Sequence, residues 1–310
     1  MPTASSFEGS GLPPHLRVPP QDELAGWAGP GTWVHALRCR RWSKNLLVLT
    51  APAAAGLLGT TFVAGRAALA MVVFCLLSSA IYLLTDVVDL EEDRRHPVKR
   101  HRPLAAGLIT IPEAMIAAAG CLVVALITAA MVDIRLLLIA VAYSGLNLAY
   151  TSWARRVPVF DIAAVAGCVL LRIVAGSAAT GISISPDLLA AFTLIALMVG
   201  AGQRYAEIRD PAARRARAVL RAYDASLLRR IGLAAGLGAA LTYGWWALGA
   251  GPGTMPAVRL LSLLPFLGAS VRYVKLAGDG AGAAPARLVL EDRVIQLSLA
   301  LWLLLFLAGA

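Results

Sequence analysis

Charge is scarce in this chain. Only 15% of the 310 residues are Asp, Glu, Lys or Arg, while 59% are hydrophobic. That balance excludes an ordinary soluble domain, where about a quarter of residues are charged. The four cysteines, Cys39, Cys75, Cys121 and Cys168, lack metal spacing. Three lie in apolar runs, so free packing thiols are expected, and no zinc-ligand set is expected around His96. There is no phosphate-binding Walker loop, no nucleophile elbow and no fixed short repeat. Period-two alternation is also missing, which argues against a membrane β-barrel. Residues 1–30 contain Pro, Gly, Ser and acidic residues but no apolar core. They are no signal peptide and read as a disordered cytoplasmic tail.

What remains is apolar and long. The mean hydropathy is +0.73, and about 20 apolar residues cross the hydrocarbon layer as a helix. Nine such runs are read, at roughly 45–65, 67–85, 114–132, 136–154, 159–180, 188–203, 231–250, 257–274 and 294–310. The sixth is short, and Pro265 and Arg272 interrupt the eighth. The expectation is an all-α integral membrane protein, with residues 31–310 forming one domain of nine transmembrane helices. All of the 28 Lys and Arg except Arg66, Arg135, Arg172 and Arg259 fall on one side of this arrangement. Basic residues stay cytoplasmic, so the N-terminus and the 85–113 loop belong inside. The net charge of +10 is then topology plus a local anion site, and no nucleic-acid partner is implied.

Asp86, Asp89 and Asp93 stand at the inner end of an apolar run, at spacings of three and four. On a helix they lie within ~60° of one another. Carboxylates crowded on one face repel unless a cation bridges them, and hard oxygen ligands suit Mg²⁺. The following stretch, His96 to Gly107, is broken by Pro97 and Pro103 and offers Lys99, Arg100 and Arg102 to an anion. Acids beside bases at a membrane edge point to a metal-bridged phosphate or diphosphate. The plain alternatives are a solvated helix end and a headgroup-binding loop.

Further candidates lie elsewhere. Arg38 and Lys44 flank Trp42 before the first run, as an anion site or as an interfacial anchor. Gln203, Arg204, Tyr205 and Glu207 close the sixth run, with Arg204 and Glu207 on one face. Arg155 closes the fourth run. Arg172 lies within the fifth and needs a partner or a wet cavity; Asp161, three turns away, is the expected partner. An ionised phosphate nucleophile needs no strong general base, only cations on the leaving group.

These residues resemble the UbiA superfamily of intramembrane prenyltransferases, and within it the decaprenyl-phosphate phosphoribosyltransferase family. The likeness rests on Arg38–Asn45, Asp86–Gly107, Leu171–Gly176, Arg204–Glu207 and Asp292–Gln296. It implies nine helices around a central cavity and transfer of 5-phosphoribose from phosphoribosyl diphosphate (PRPP) to a polyprenyl phosphate, with release of diphosphate. In that family the product feeds cell-wall arabinan. The resemblance further implies that Asp86, Asp89 and Asp93 position Mg²⁺ on the donor, as catalytic and metal residues. Lys44, Lys99, Arg102 and Arg204 would neutralise phosphates, and Glu207 or Tyr205 would hold the ribose. Arg38, His96, Arg155, Arg172 and Gln203 complete the substrate-binding set. Ordinary superfamily members carry a second Asp-rich motif where this chain has Arg204-Tyr205-Ala206-Glu207, which favours the sugar donor. Three positions depart from the branch: Thr85 stands for Asn, Gln203 for Lys, and Gly181 for a common Lys. An enzyme of the same fold using a prenyl diphosphate and an aromatic acceptor is one alternative. A lipid-phosphate transporter is another, although charges clustered at one face favour an enzyme. A homo-oligomer is left open, and the expected location is a bacterial inner membrane with a cytoplasmic active site.

The charge count makes a direct prediction. In a cysteine-free background in intact cells, Val98→Cys is shielded from membrane-impermeant thiol reagents and Gly253→Cys is labelled. The reverse pattern would contradict the assigned orientation.

Overall fold

The structure, a computed structural model, describes residues 29–96, 98–152, 157–210, 218–249 and 255–310. The expected 1–30 tail lies outside the described residues except for its last two. The described chain is helical, and it begins with an element the sequence reading missed: α1 (Pro30–Ala36). Ala36, Trp33 and Leu37 pack against Leu83, Leu90, Leu104 and Ile109, which brings the chain leading to Arg38 onto the acidic helix end.

A 3-10 segment follows over Cys39–Leu49, then α2 (Thr50–Ala54). Gly56 turns the chain with φ 67°. The expected first span at 45–65 is therefore not one helix. Its first part belongs to these two short elements, and its last residues open α3 (Thr61–Val88). At ~2.0 Å per residue in 3-10 and ~1.5 Å in α-helix, residues 39–54 still reach about 30 Å. After α4 (Leu90–Arg95) come α5 (Ile111–Val132), α6 (Ile134–Ser152), α7 (Phe160–Thr180), α8 (Pro186–Glu207), α9 (Ala225–Leu248) and α10 (Pro256–Gly278). The chain closes with α11 (Pro285–Glu291) and α12 (Arg293–Ala308). Among the described residues, seven helices are long and apolar enough to cross a membrane: α3 and α5 to α10. The 39–54 segment and the 16-residue α12 stand in place of two of the nine full spans expected. Pro265 does not break α10, and α8 extends past the short run read for it.

Local sequence explains the ends. Thr110 and Glu113 form a reciprocal capping box on α5. Pro186, Pro256 and Pro285 occupy first-turn positions where an amide hydrogen has no helical partner. Asp224 accepts the Leu227 amide at α9 and is held below the usual carboxylate range, chiefly by the Ser226 hydroxyl. Asp292 accepts from Ile295 at α12 and takes two donors from Arg272. Arg272, flagged as an interruption, is thus a clamp between α10 and α12. Within the spans, Thr85, Ser144, Thr193, Thr242 and Ser270 return their hydroxyls to the carbonyl four residues back. Hydroxyls satisfied within their own helix are compatible with lipid.

Consecutive spans run antiparallel: Arg66 at the start of α3 meets the ends of α5 and α7, and along α8 and α9 Gly236 faces Met198 while Gly238 faces Leu194. The ends of α3, α6, α8 and α10 then lie with the starts of α5, α7, α9 and α12 at one end of the bundle, hereafter the carboxylate end. The opposite end is tied by guanidinium groups on helix carbonyls. Arg66 donates to Val132 and Ala179. Arg259 donates to Gly309 (2.9 Å) and reaches Ala54 (3.4 Å), stacking on Trp246. Between the ends, one core surrounds Phe74 and Tyr143, and a second surrounds Tyr243, Trp246, Phe266 and Phe306.

The 3-10 segment crosses α7 at Gly176, where an added Cβ would lie 1.7 Å from the Val48 carbonyl oxygen. Gly176→Ala is expected to cost ~1–3 kcal/mol or more through overpacking and to lower the thermal midpoint in detergent. Gly120, with open space around it, tolerates Ala. Equal midpoints for the two variants would contradict this packing.

Candidate functional site

Asp86 ends the buried face of α3, and the helix breaks at Asp89 before resuming as α4. The three aspartates are therefore not displayed on one continuous helix. Asp86 and Asp93 nevertheless converge, because the Asp93 amide still bonds to the Asp89 carbonyl at 2.8 Å across the break. Both are buried, Asp93 to 1% exposure. Arg102 joins them, donating to Asp86 at 3.1 Å and also to Asp93. Lys99 Nζ lies 3.6 Å from Asp93 Oδ1, and Arg38 donates to Asp86. Asp89 is only partly buried.

Arg38 reaches this point because its backbone is left-handed, φ 53°, which turns the chain between α1 and the 3-10 segment. Its burial lowers the guanidinium's proton affinity, and Asp86 opposes that shift. One turn before Asp86, the Tyr82 ring is faced by Arg38 at 4.6 Å, Lys44 at 4.9 Å and Arg41 at 5.6 Å. Lys44 also donates to the Tyr82 hydroxyl at 2.6 Å. Trp42 points inward and donates to the Ser79 hydroxyl on α3. His96 accepts the amides of Val98 and Lys99 on Nδ1; it shapes the basic loop and is not among the residues joined to the carboxylates. Tyr82 and Arg41 were missed in the sequence, although Tyr82 shares a helix face with Asp86.

Arg172 is buried, but Asp161 is not its partner. Eleven residues along α7 amount to ~16 Å, too far for an ion pair. Arg172 donates instead to Asn45 (2.9 Å), Tyr143 (2.6 Å) and the Cys168 carbonyl (2.8 Å). Asn45 and Tyr143, uncharged and mid-bundle, gave no signal in the sequence.

Asp161 belongs to a second cluster. Arg204 holds it with two parallel bonds of 2.6 and 2.7 Å and binds Glu207 at 2.6 Å. Tyr150 contacts both Asp161 and Arg204, and Gln203 donates to Glu207 at 3.1 Å. Arg204 and Glu207 thus share a face, and Gln203, Asp161 and Tyr150 join them. Tyr205 does not join them. It turns away and pairs with Arg209. Arg155 lies outside the described residues. α7 packs against both α3 and α8, so the two clusters occupy one end of a contiguous set of helices.

One oxygen bears on metal binding. Asp93 Oδ1 is buried and accepts no hydrogen bond. Such an oxygen, with only the Lys99 ammonium 3.6 Å away and a second carboxylate beside it, is hard-ligand chemistry that fits Mg²⁺, which is held by one or two carboxylates with water and substrate oxygens. No group of three or more acid, His or Cys ligands converges among the described residues.

Residues 46–290 match the UbiA prenyltransferase family. The chain belongs to that family. A protein of Mycobacterium tuberculosis named decaprenyl-phosphate phosphoribosyltransferase is 35% identical over 291 residues, covering 92% of this chain and 94% of its own. One of the same name from Mycolicibacterium smegmatis is 34% identical over 304 residues, covering 92% of each. The structure of a UbiA homolog from Archaeoglobus fulgidus bound to DMAPP and Mg²⁺ superposes with a TM-score of 0.65 at 15% identity, covering 89% of this chain and 99% of that one. That likeness establishes the membrane-embedded UbiA fold.

The Asp161–Arg204 pair makes a stability prediction. Arg204 is the cation shared by Asp161 and Glu207, and breaking a buried pair costs ~3–5 kcal/mol, so Arg204→Gln strongly lowers the thermal midpoint. Adding Asp161→Asn recovers part of the loss by removing one of the two carboxylates left uncompensated. No recovery would contradict a direct pair.

Proposed function

We propose that the protein transfers 5-phosphoribose from PRPP to a polyprenyl phosphate, with Mg²⁺, at the cytoplasmic face of a bacterial inner membrane. One observation carries the reading. At the end of a spanning helix, Asp86 and Asp93 share Arg102, with Lys99 and Arg38 against them and Lys44 one turn deeper. This is more cation than two carboxylates neutralise, in a chain about a third identical to the phosphoribosyltransferases over 92% of its length.

The residues divide the work. Asp86 and Asp93, with Asp89 beside them, would hold Mg²⁺, which when bound supplies positive charge to the donor's diphosphate. Lys99 and Arg102 lie where they neutralise that leaving group, and Lys44 and Arg38 lie where a further phosphate can sit. The C1–O bond to diphosphate breaks as an oxygen of the lipid phosphate bonds to C1. The nucleophile arrives ionised, so no side chain need remove a proton, consistent with the lack of a His–Asp or Ser–His pair among these residues. Positive charge fixed before the reaction favours the departing diphosphate without reorganisation. Glu207 and Gln203, rather than Tyr205, are the ribose-holding residues in this reading.

The donor is the discriminating variable. A ligand ~100-fold above its Kd stabilises the folded state by ~2.7 kcal/mol. In detergent with Mg²⁺, PRPP is expected to raise the thermal midpoint and farnesyl diphosphate to leave it unchanged, with EDTA abolishing the shift. Stabilisation by farnesyl diphosphate alone would move the protein to the aromatic prenyltransferase branch.

A further inference from the structure

A different part of the carboxylate end carries its own set of cations. A cavity of about 400 Å³ lies between the ends of α8, α9 and α10. Arg209, Arg229 and Lys275 line it, and Asp279 is the one carboxylate among its described walls. Arg209 is preset there: its guanidinium lies over the Tyr205 ring at 4.6 Å, donates to the Tyr205 hydroxyl at 2.7 Å and also donates to the Gly278 carbonyl. Tyr205 is thus used to orient a cation, at the one position of the Arg204–Glu207 motif that turns away from the second cluster. Met198 and Tyr273, deeper in this cavity, also wall a second one of about 300 Å³. The second cavity is apolar, formed between α8, α10, α11 and α12 by side chains such as Phe192, Leu299 and Trp302.

Cationic space at a helix end, adjoining apolar space at membrane depth, matches an amphiphile with an anionic head and a hydrocarbon tail. Basic pockets between spanning helices bind phosphate headgroups in this way. We propose that this is a site for one anionic bilayer phospholipid, its phosphate held by Arg209, Arg229 and Lys275 and an acyl chain entering the apolar cavity. The reacting acceptor is a poorer occupant. No residue of α3, α7 or the 39–49 segment lines either cavity among the described residues, so a phosphate here does not meet a donor at Asp86 and Asp93. The bound lipid would instead brace the ends of α8, α9 and α10, of which α8 carries Arg204 and Glu207.

Native mass spectrometry of the detergent-purified protein tests this, with titration by phosphatidylglycerol, by phosphatidylcholine of the same chains and by glycerol 1-phosphate. One phosphatidylglycerol is expected to bind tightly, with phosphatidylcholine and glycerol 1-phosphate failing to compete. Arg229→Ala/Lys275→Ala weakens that binding roughly 10- to 30-fold, while the charge-keeping Arg229→Lys/Lys275→Arg retains it and controls for folding. Equal binding by the alanine variant, or equal retention of phosphatidylcholine, would overturn the site. Displacement of phosphatidylglycerol by decaprenyl phosphate at matched concentration would make it an acceptor site and overturn the assignment to a bilayer lipid. None of these readouts uses turnover, so the outcome is independent of the proposed reaction.

Discussion

A charge inside an apolar bundle has to be compensated where it stands. Burying an unpaired ion costs several kcal/mol even after relaxation, on the order of what holds a whole domain folded. Asp86, Asp93, Asp161, Arg172, Arg204 and Arg259 are all buried, and the layout of the helices follows from where their partners come from. Asp86 draws Arg38 from 48 residues upstream and Arg102 from the loop beyond. Asp161 draws Arg204 from 43 residues downstream. Those pairs fasten the 3-10 segment, α3, the basic loop, α7 and α8 at one end. At the other end Arg66 and Arg259 settle on helix carbonyls instead. One end is therefore built from ion pairs that an anionic substrate can compete for. At the other the ties are mainly to backbone carbonyls, with Arg66 also 3.8 Å from Asp133.

This asymmetry gives the functional reading its physical content. A diphosphate with a cation can exchange for a guanidinium–carboxylate contact, because charge is conserved in the exchange. Arg102 bridges the two carboxylates, and in the proposed reaction it is the contact that the metal and diphosphate would replace. The Asp161–Arg204–Glu207 cluster is tighter, with paired bonds and near-complete burial. It resembles a support that fixes Glu207 and Gln203 more than a second metal site, in keeping with a donor whose far end is a sugar phosphate.

Much of this was legible in the sequence, for definable reasons. Asp86 and Asp93 are seven residues apart, two helical turns, so their convergence survives a break at Asp89 that no residue type announced. Arg102 and Lys99 follow a proline-broken run that has to fold back. Other features were hidden. The 3-10 course of residues 39–49 depends on its close crossing at Gly176, a tertiary contact. Arg172 was assigned Asp161 because both are charged on one helix, but ~16 Å separates them. Its actual partners, Asn45 and Tyr143, are neutral and distant in sequence. Tyr205 was read as one block with Arg204, yet neighbours on a helix point ~100° apart, so a contiguous motif cannot all face one site. Tyr82 was available by the same geometry, four residues before Asp86.

The central claim is that Asp86 and Asp93 act together on a phosphoribosyl donor. The most direct measurement is transfer of label from ¹⁴C-ribose-labelled PRPP to decaprenyl phosphate by purified protein in detergent with Mg²⁺. The account predicts a labelled, chloroform-soluble product from the wild type. It predicts loss of at least ~100-fold in rate for Asp86→Asn and for Asp93→Asn, in the range seen when a charge-stabilising group is removed from an active site, while Glu92→Gln on the exposed side of α4 stays near wild type. A labelled product formed equally well by the Asn variants, or no product from a folded wild-type protein across polyprenyl phosphates of different lengths, would contradict it.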